Sequence, residues 1–178
     1  MRFLRALSFA AHKHRDQRRK DANASPYINH PIAVATVLAA EGGVTDEALL
    51  LAALLHDTVE DTDTTPEELV EHFGAEIADL VAEVTDDKAL DKDVRRRLQV
   101  EHAAGASDKA KQLKIADKVC NIRDIAAGPP SDWSVERKRE YLAWAESVVA
   151  GCRGINAALE GVCDEALATA RAKLLSGL

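Results

Sequence analysis

The chain has 178 residues, of which 47% are hydrophobic and only 4% aromatic, and it carries a formal charge of −7 at pH 7. That length suits one domain with a substantial core, and apolar content drawn mostly from Ala, Leu and Val favours packed helices over a sheet. The acidic balance argues against broad binding to nucleic acid or an anionic membrane, while leaving room for a local basic cluster that holds an anionic ligand.

Cys120, Cys152 and Cys163 are an odd number without C-x-x-C spacing, so they indicate neither a disulfide framework nor a zinc knuckle and read as reduced cytosolic thiols. The first residues run into the charged His12-Lys13-His14-Arg15, which fits a helix rather than a signal peptide. No apolar stretch is long enough to span a bilayer. A soluble cytoplasmic protein is expected.

In chain order, Phe3, Leu7, Ala10 and Ala11 recur at helical spacing, predicting a first helix to about Gln17. A basic loop follows, and Pro31 suits the first turn of a second helix that ends at Gly42-Gly43, which puts His30 at a helix entrance. Thr45 is placed to cap a third, central helix through the run Leu49 to Leu55. Thr65-Pro66-Glu67-Glu68 has the form of a capping box for a fourth. Ile77, Leu80, Val81 and Val84 mark an amphipathic fifth helix. The charged stretch from Lys92 to about Ala104, with Arg95-Arg96-Arg97, reads as a solvated helix or ordered excursion. Another helix from Asp108 aligns Asp117, Asn121 and Asp124 on one stripe and is ended by Gly128-Pro129-Pro130. Ser134 caps a long helix with Leu142, Ala145, Val149 and Cys152 as its core stripe and Arg137 and Tyr141 on a polar one. A last helix carries Leu159, Val162, Ala166 and Leu174. The whole is an all-α bundle of about eight to nine helices.

The chemistry concentrates in His56-Asp57-Thr58-Val59-Glu60-Asp61, four ionisable side chains placed directly after a core-forming run. Such a cluster is costly to bury unless something pairs with it, and a divalent metal is the simplest partner. On a continuous helix His56 and Glu60, and Asp57 and Asp61, would share one face. His30 and Asp117 are the other inward candidates. Two imidazoles and two carboxylates without a thiolate suit a catalytic ion, manganese first and iron or zinc next, with positions left open for water.

These residues resemble the H…HD…D pattern of the HD-domain metal phosphohydrolases. Tyr27-Ile28-Asn29-His30-Pro31, His56-Asp57-Thr58-Val59-Glu60-Asp61-Thr62 and Ala116-Asp117-Lys118-Val119-Cys120-Asn121-Ile122-Arg123 are similar to the hydrolase domain of RelA/SpoT-type alarmone enzymes, and most of all to the metazoan SpoT homologue and the small alarmone hydrolases. The resemblance covers about residues 11–149 and, with C-terminal helices over 150–178, implies one HD-type hydrolase domain over 1–178. It implies manganese-dependent hydrolysis of guanosine tetra- and pentaphosphate, (p)ppGpp, with release of pyrophosphate from the ribose 3′ position, and no synthetase.

By that resemblance His30, His56, Asp57 and Asp117 would bind the metal and Glu60 and Asp61 would be the catalytic carboxylates. Arg19 would stack on guanine, Lys20 would contact base or phosphate and Asn121 the nucleotide, while Lys92, Arg137 and Tyr141 would approach the 5′ phosphates and ribose. Asp124 departs from the broader pattern, standing where many bifunctional members have threonine; an outward orientation would accommodate its charge. His12, His14, His72 and His102 read as surface residues and Cys120 as core packing. Two alternatives share these residues: removal of the 2′ phosphate of NADPH, and a helical nucleotide sensor without turnover.

Overall fold

The computed structural model describes residues 1–21, 23–128 and 132–176. Among them the chain is helical: α1 (Arg2–Lys13), α2 (Asn29–Thr36), α3 (Glu47–Leu55), the single turn α4 (Thr58–Asp61), α5 (Pro66–Phe73), α6 (Ala75–Val84), α7 (Lys92–Ala103), α8 (Asp108–Ala127), α9 (Val135–Cys152) and α10 (Ala157–Ser176). Setting aside the single turn, this matches the expected helix number. No helix among the described residues is long and apolar enough to cross a membrane.

The run after Glu47 makes α3 the central rod. Leu49 and Leu51 to Leu55 are all buried, and α3 packs against α1, α2, α6 and α8. Each such leucine contributes about 1.5–3 kcal/mol by leaving water, so α3 fixes the position of whatever follows Leu55. The cap differs from expectation: the Asp46 carboxylate, not Thr45, accepts from the Leu49 amide at 2.8 Å, because the helix starts one residue later. Thr65 and Ser134 cap α5 and α9 as the sequence predicts.

The helix that carries His30 in its first turn does not stay α-helical. From Val37 to Glu41 it widens into a π turn closed by the Gly42 amide on the Val37 carbonyl at 2.8 Å. A Cβ at Gly42 would meet Leu159 Cδ2 at 2.6 Å, so glycine lets the start of α10 sit directly on this end. Gly151 does the same between α9 and α7, where a Cβ would lie 2.7 Å from Ala103 Cβ. The cavity wall made by α7 and α9 depends on that approach.

The first helix ends at Lys13, short of Gln17, and the described residues of the basic segment after it fold back on one another as a hairpin. Arg18 and Pro26 form an isolated antiparallel bridge, the Arg19 amide donates to Ser25 O at 2.8 Å, and Asp21 Oδ1 accepts from the Asn23 and Ser25 amides. Gly128 caps α8 as expected, while Pro129 and Pro130 lie outside the described residues.

Candidate active site

Three helices bring the histidines and carboxylates together. His30 is the second residue of α2, His56 and Asp57 turn the corner after α3, and Asp117 lies midway along α8. The expected continuous helix through Asp61 is absent: α3 stops at Leu55 and α4 restarts at Thr58, with Thr58 Oγ1 donating to the Leu55 carbonyl at 2.7 Å. The break aims His56 and Asp57 inward, and Glu60 and Asp61 still line the same cleft.

His30 Nε2 lies 3.1 Å from Asp117 Oδ1 and 3.7 Å from Asp57 Oδ2. His56 Nε2 lies 3.2 Å from Asp57 Oδ1 and 3.9 Å from Asp117 Oδ1. One donor atom from each of His30, His56 and Asp117 falls within 4.8 Å of the others, and Asp57 closes the group.

This set fits a divalent ion on its own chemistry. The Ala53 carbonyl, 2.8 Å from His56 Nδ1, accepts only from an N–H and so leaves the lone pair on Nε2. That atom is buried without a hydrogen-bond partner and faces two carboxylates, an arrangement that repels unless positive charge lies between. Burial alone would lower the His56 pKa, but Asp57 and Asp117 outweigh it and raise it. The field that favours a proton there favours a cation equally. Asp117 is held well below the ordinary carboxylate range, burial being overcome by Lys118 and then by His30. Lys118 Nζ, itself buried, lies 2.9 Å from Asp117 Oδ2.

Glu60 and Asp61 stand one turn further on. Glu60 Oε2 accepts from the Asp86 amide at 3.1 Å, and Arg95 Nη1 approaches Oε1 at 3.7 Å. Burial, reinforced by the charges of Asp86, Asp57 and Asp61, raises the Glu60 pKa to about 7. Asp61 pairs with Lys88 through Oδ1 and accepts from the Tyr27 hydroxyl through Oδ2 at 3.0 Å.

The cleft above has a volume of about 490 Å³. Its lining includes eight lysines and arginines (Arg19, Lys20, Lys92, Arg95, Arg96, Lys114, Lys118 and Arg137) against five carboxylates, in a chain whose formal charge is −7. Arg96, then burial and Arg137, push the Lys92 pKa down, the signature of cations crowded together. Trp133, Tyr141 and Trp144 form an aromatic wall, with the Arg137 guanidinium 4.5 Å from the Trp133 ring centre and Arg96 5.1 Å from that of Trp144. A smaller adjoining cavity of about 230 Å³ is lined by Arg19, Lys20, Asn121, Asp124, Trp133 and Tyr141 among others.

All twelve residues singled out in the sequence line the larger cleft. Three expectations are corrected. Arg95 and Arg96 face the cleft rather than solvent, because α7 packs on α9 and turns that side inward; Arg97 alone is outward, paired with Glu101 at 3.4 Å. Asp124 does not face away, since its carboxylate pairs with Arg19, which also donates to Asn121 Oδ1 at 3.1 Å. His14 is 2% exposed, stacked on Tyr27 with ring centres 4.8 Å apart. Cys120 is core as expected, with burial pushing its thiol pKa up to about 12. Sequence reasoning missed Lys118, Lys114, Trp133, Trp144 and Tyr27. Adjacency to Asp117 was the available signal for Lys118, and position inside the Tyr-Ile-Asn-His-Pro motif the signal for Tyr27.

An all-α fold that gathers His30, His56-Asp57 and Asp117 in one cleft defines an HD-domain protein, and the HD-domain family matches residues 6–143. The chain belongs to that family. Within it, the chain is 56% identical over 161 residues to a Xenopus tropicalis protein named guanosine-3′,5′-bis(diphosphate) 3′-pyrophosphohydrolase MESH1, covering 90% of each. It is 57% identical over 157 residues to the Homo sapiens protein of the same name, covering 88% of each. A solved structure described as a metazoan orthologue of SpoT that hydrolyses ppGpp and plays a role in starvation responses superposes with a TM-score of 0.91 at 50% identity, covering 94% of each chain.

Proposed function

We propose that this chain is a metal-dependent guanosine-3′,5′-bis(diphosphate) 3′-pyrophosphohydrolase, converting (p)ppGpp to GDP or GTP and pyrophosphate without synthetase activity. The observation that carries the reading is the meeting, in one cleft, of a two-histidine, two-aspartate donor set, a carboxylate pair and a surplus of cations. The names of its MESH1 relatives, which match over about nine-tenths of each chain, support the substrate.

In this reading His30, His56, Asp57 and Asp117 hold the ion, with manganese preferred to iron or zinc. When bound, it polarises a phosphoryl oxygen and lowers the pKa of a coordinated water. Glu60, which burial and its carboxylate neighbours make more basic than a free carboxylate, takes the proton from the attacking water. Asp61 orients that water. Lys92, Arg137 and Tyr141 hold the 5′ phosphates and ribose, while Arg19, Lys20 and Asn121 hold the base and its neighbouring phosphate, so that these groups bind and orient the substrate.

Residues 1–178 act as one HD-type domain in this reading, supported by a hydrophobic core that runs from Ala6 to Ala170. The buried free thiols Cys120, Cys152 and Cys163 favour a reducing, cytoplasmic setting.

The test is pyrophosphate release from guanosine tetraphosphate with manganese, run beside phosphate release from NADPH. Larger kcat/KM for guanosine tetraphosphate is expected. A preference for NADPH would overturn the substrate, and ligand binding without turnover would overturn the enzyme.

A further inference from the structure

Tyr27 has no part in the roles assigned above, yet its hydroxyl sits between the two halves of the site. Tyr27 Oη is 2.7 Å from Asp57 Oδ2 and 3.0 Å from Asp61 Oδ2. A phenol has one hydrogen to give and an ionised carboxylate has none, so the two aspartates share a single donor. They are also one helical turn apart, with the Asp61 amide on the Asp57 carbonyl at 2.8 Å, a spacing at which like charges repel.

The ring that carries this hydroxyl is held from several directions. One face stacks on buried His14 at 28° between planes, and the Arg19 guanidinium lies 5.6 Å from the ring centre. Gln17 fastens the frame: its side-chain oxygen pairs with His14 Nδ1 at 2.7 Å, its amide nitrogen donates to the Asp61 carbonyl, and its own carbonyl accepts from the Tyr27 amide at 3.2 Å. The same residue therefore anchors the backbone of the tyrosine and of the aspartate it serves. Little freedom is left to Oη.

We propose that Tyr27 is a positioning residue that ties metal-binding Asp57 to reacting Asp61 through one shared hydroxyl hydrogen and so sets the distance between the binding and reacting halves of the site. The inference rests on the role assignments of the preceding section. With Asp57 Oδ2 engaged by the hydroxyl, Oδ1 is left facing His56 Nε2 at 3.2 Å. The same hydroxyl keeps Asp61 turned toward the donor set instead of swinging out with Lys88.

Tyr27→Phe tests this, because it keeps the ring and its stack and deletes only the hydroxyl. Manganese affinity, measured by calorimetry on the otherwise intact chain, is expected to weaken by about 10- to 100-fold, the usual effect of losing a group that orients a metal ligand. At saturating manganese, kcat for guanosine tetraphosphate is expected to fall by about 10-fold or more, with KM within about 2-fold. Loss of metal affinity alone, loss of kcat alone, or a change in KM alone would each overturn the link. Should wild type itself release no pyrophosphate, the proposed function fails, and the tyrosine is judged by manganese affinity together with a crystal structure of the manganese-loaded wild type. Tyr27 Oη beyond hydrogen-bond reach of either carboxylate in that crystal structure would overturn the proposal even if the variant does not fold.

Discussion

His30 and His56 are 5% and 6% exposed, and Asp57 and Asp117 already have partners inside the fold. Lys92, Arg96 and Arg137, by contrast, line the cleft from α7 and α9, crowded by one another and by aromatic faces, with the Asp132 carboxylate near Arg137, at 3.6 Å. The donor set is thus a buried group whose geometry three packed helices enforce. The cation-rich rim is a group of long side chains whose mutual repulsion a bound anion would relieve. Their difference separates what the fold must hold rigid, a few donor atoms, from what it can leave to be organised by a ligand carrying its own negative charge.

Breaking the buried half gives the largest effects. Asp117→Asn is expected to abolish stoichiometric manganese binding in calorimetry and, with it, turnover. Asp117→Ala adds a folding penalty of about 3–5 kcal/mol, read by denaturant unfolding, because Lys118 is then left buried without its carboxylate. Glu60→Gln separates chemistry from binding: kcat is expected to fall by about 100- to 10,000-fold while manganese affinity stays near that of wild type. A Glu60→Gln enzyme with near-normal kcat would remove Glu60 from the role of base.

How far the sequence revealed each half follows from the same contrast. Short spacings and a known capping chemistry made α3, α5, α6, α8 and α9 readable, and the dense cluster after Leu55 made His56, Asp57, Glu60 and Asp61 conspicuous. The break at His56-Asp57 was not readable, because it arises from Thr58 capping the end of α3 rather than from a glycine or proline. Arg95 and Arg96 look like any charged helix face until Gly151 allows α9 to press on α7. His14 was misplaced for a similar reason: only the hairpin bridging Arg18 to Pro26 brings Tyr27 back over it. Neighbours within about one helical turn were legible from spacing, and His30, Asp117 and the cations from motif resemblance, whereas the burial of Arg95, Arg96 and His14, which only tertiary approach creates, was not.

A smaller effect tests the electrostatics of Glu60 in the metal-free chain. Its folded-state pKa is raised from 4.5 to about 7, so between those values the folded state holds a proton that the unfolded state has released. Stability is therefore expected to fall as pH rises from about 4.5 to 7, by about 1–3 kcal/mol from this group. Glu60→Gln should remove that component of the slope, and denaturant midpoints at pH 5 and pH 7.5 would show it. In the active enzyme only the ionised carboxylate accepts a proton, so kcat is expected to rise with pH as Glu60 ionises and then level off.

The rim should yield the smallest effects and a different kind of response. The Arg137 side chain is 41% exposed, reaches only to 3.6 Å from Asp132, and lies over Trp133, so its removal costs the fold little, as for most exposed pairs. Arg137→Ala is expected to raise KM for guanosine tetraphosphate by about 10-fold, with kcat nearly unchanged, because a phosphate contact made equally in ground and transition states is uniform binding. Arg137→Lys should recover only part of the loss, since an ammonium lacks the planar fork that engages phosphate through two hydrogen bonds and also stacks on Trp133. Rim contacts are screened and buried ones are not, so raising salt should increase KM in wild type and do so less in Arg137→Ala, with manganese affinity equal in both. A salt-dependent kcat at saturating substrate would instead place Arg137 among the groups that act on the developing charge of the transition state, and would erase the distinction between the two halves of the cleft.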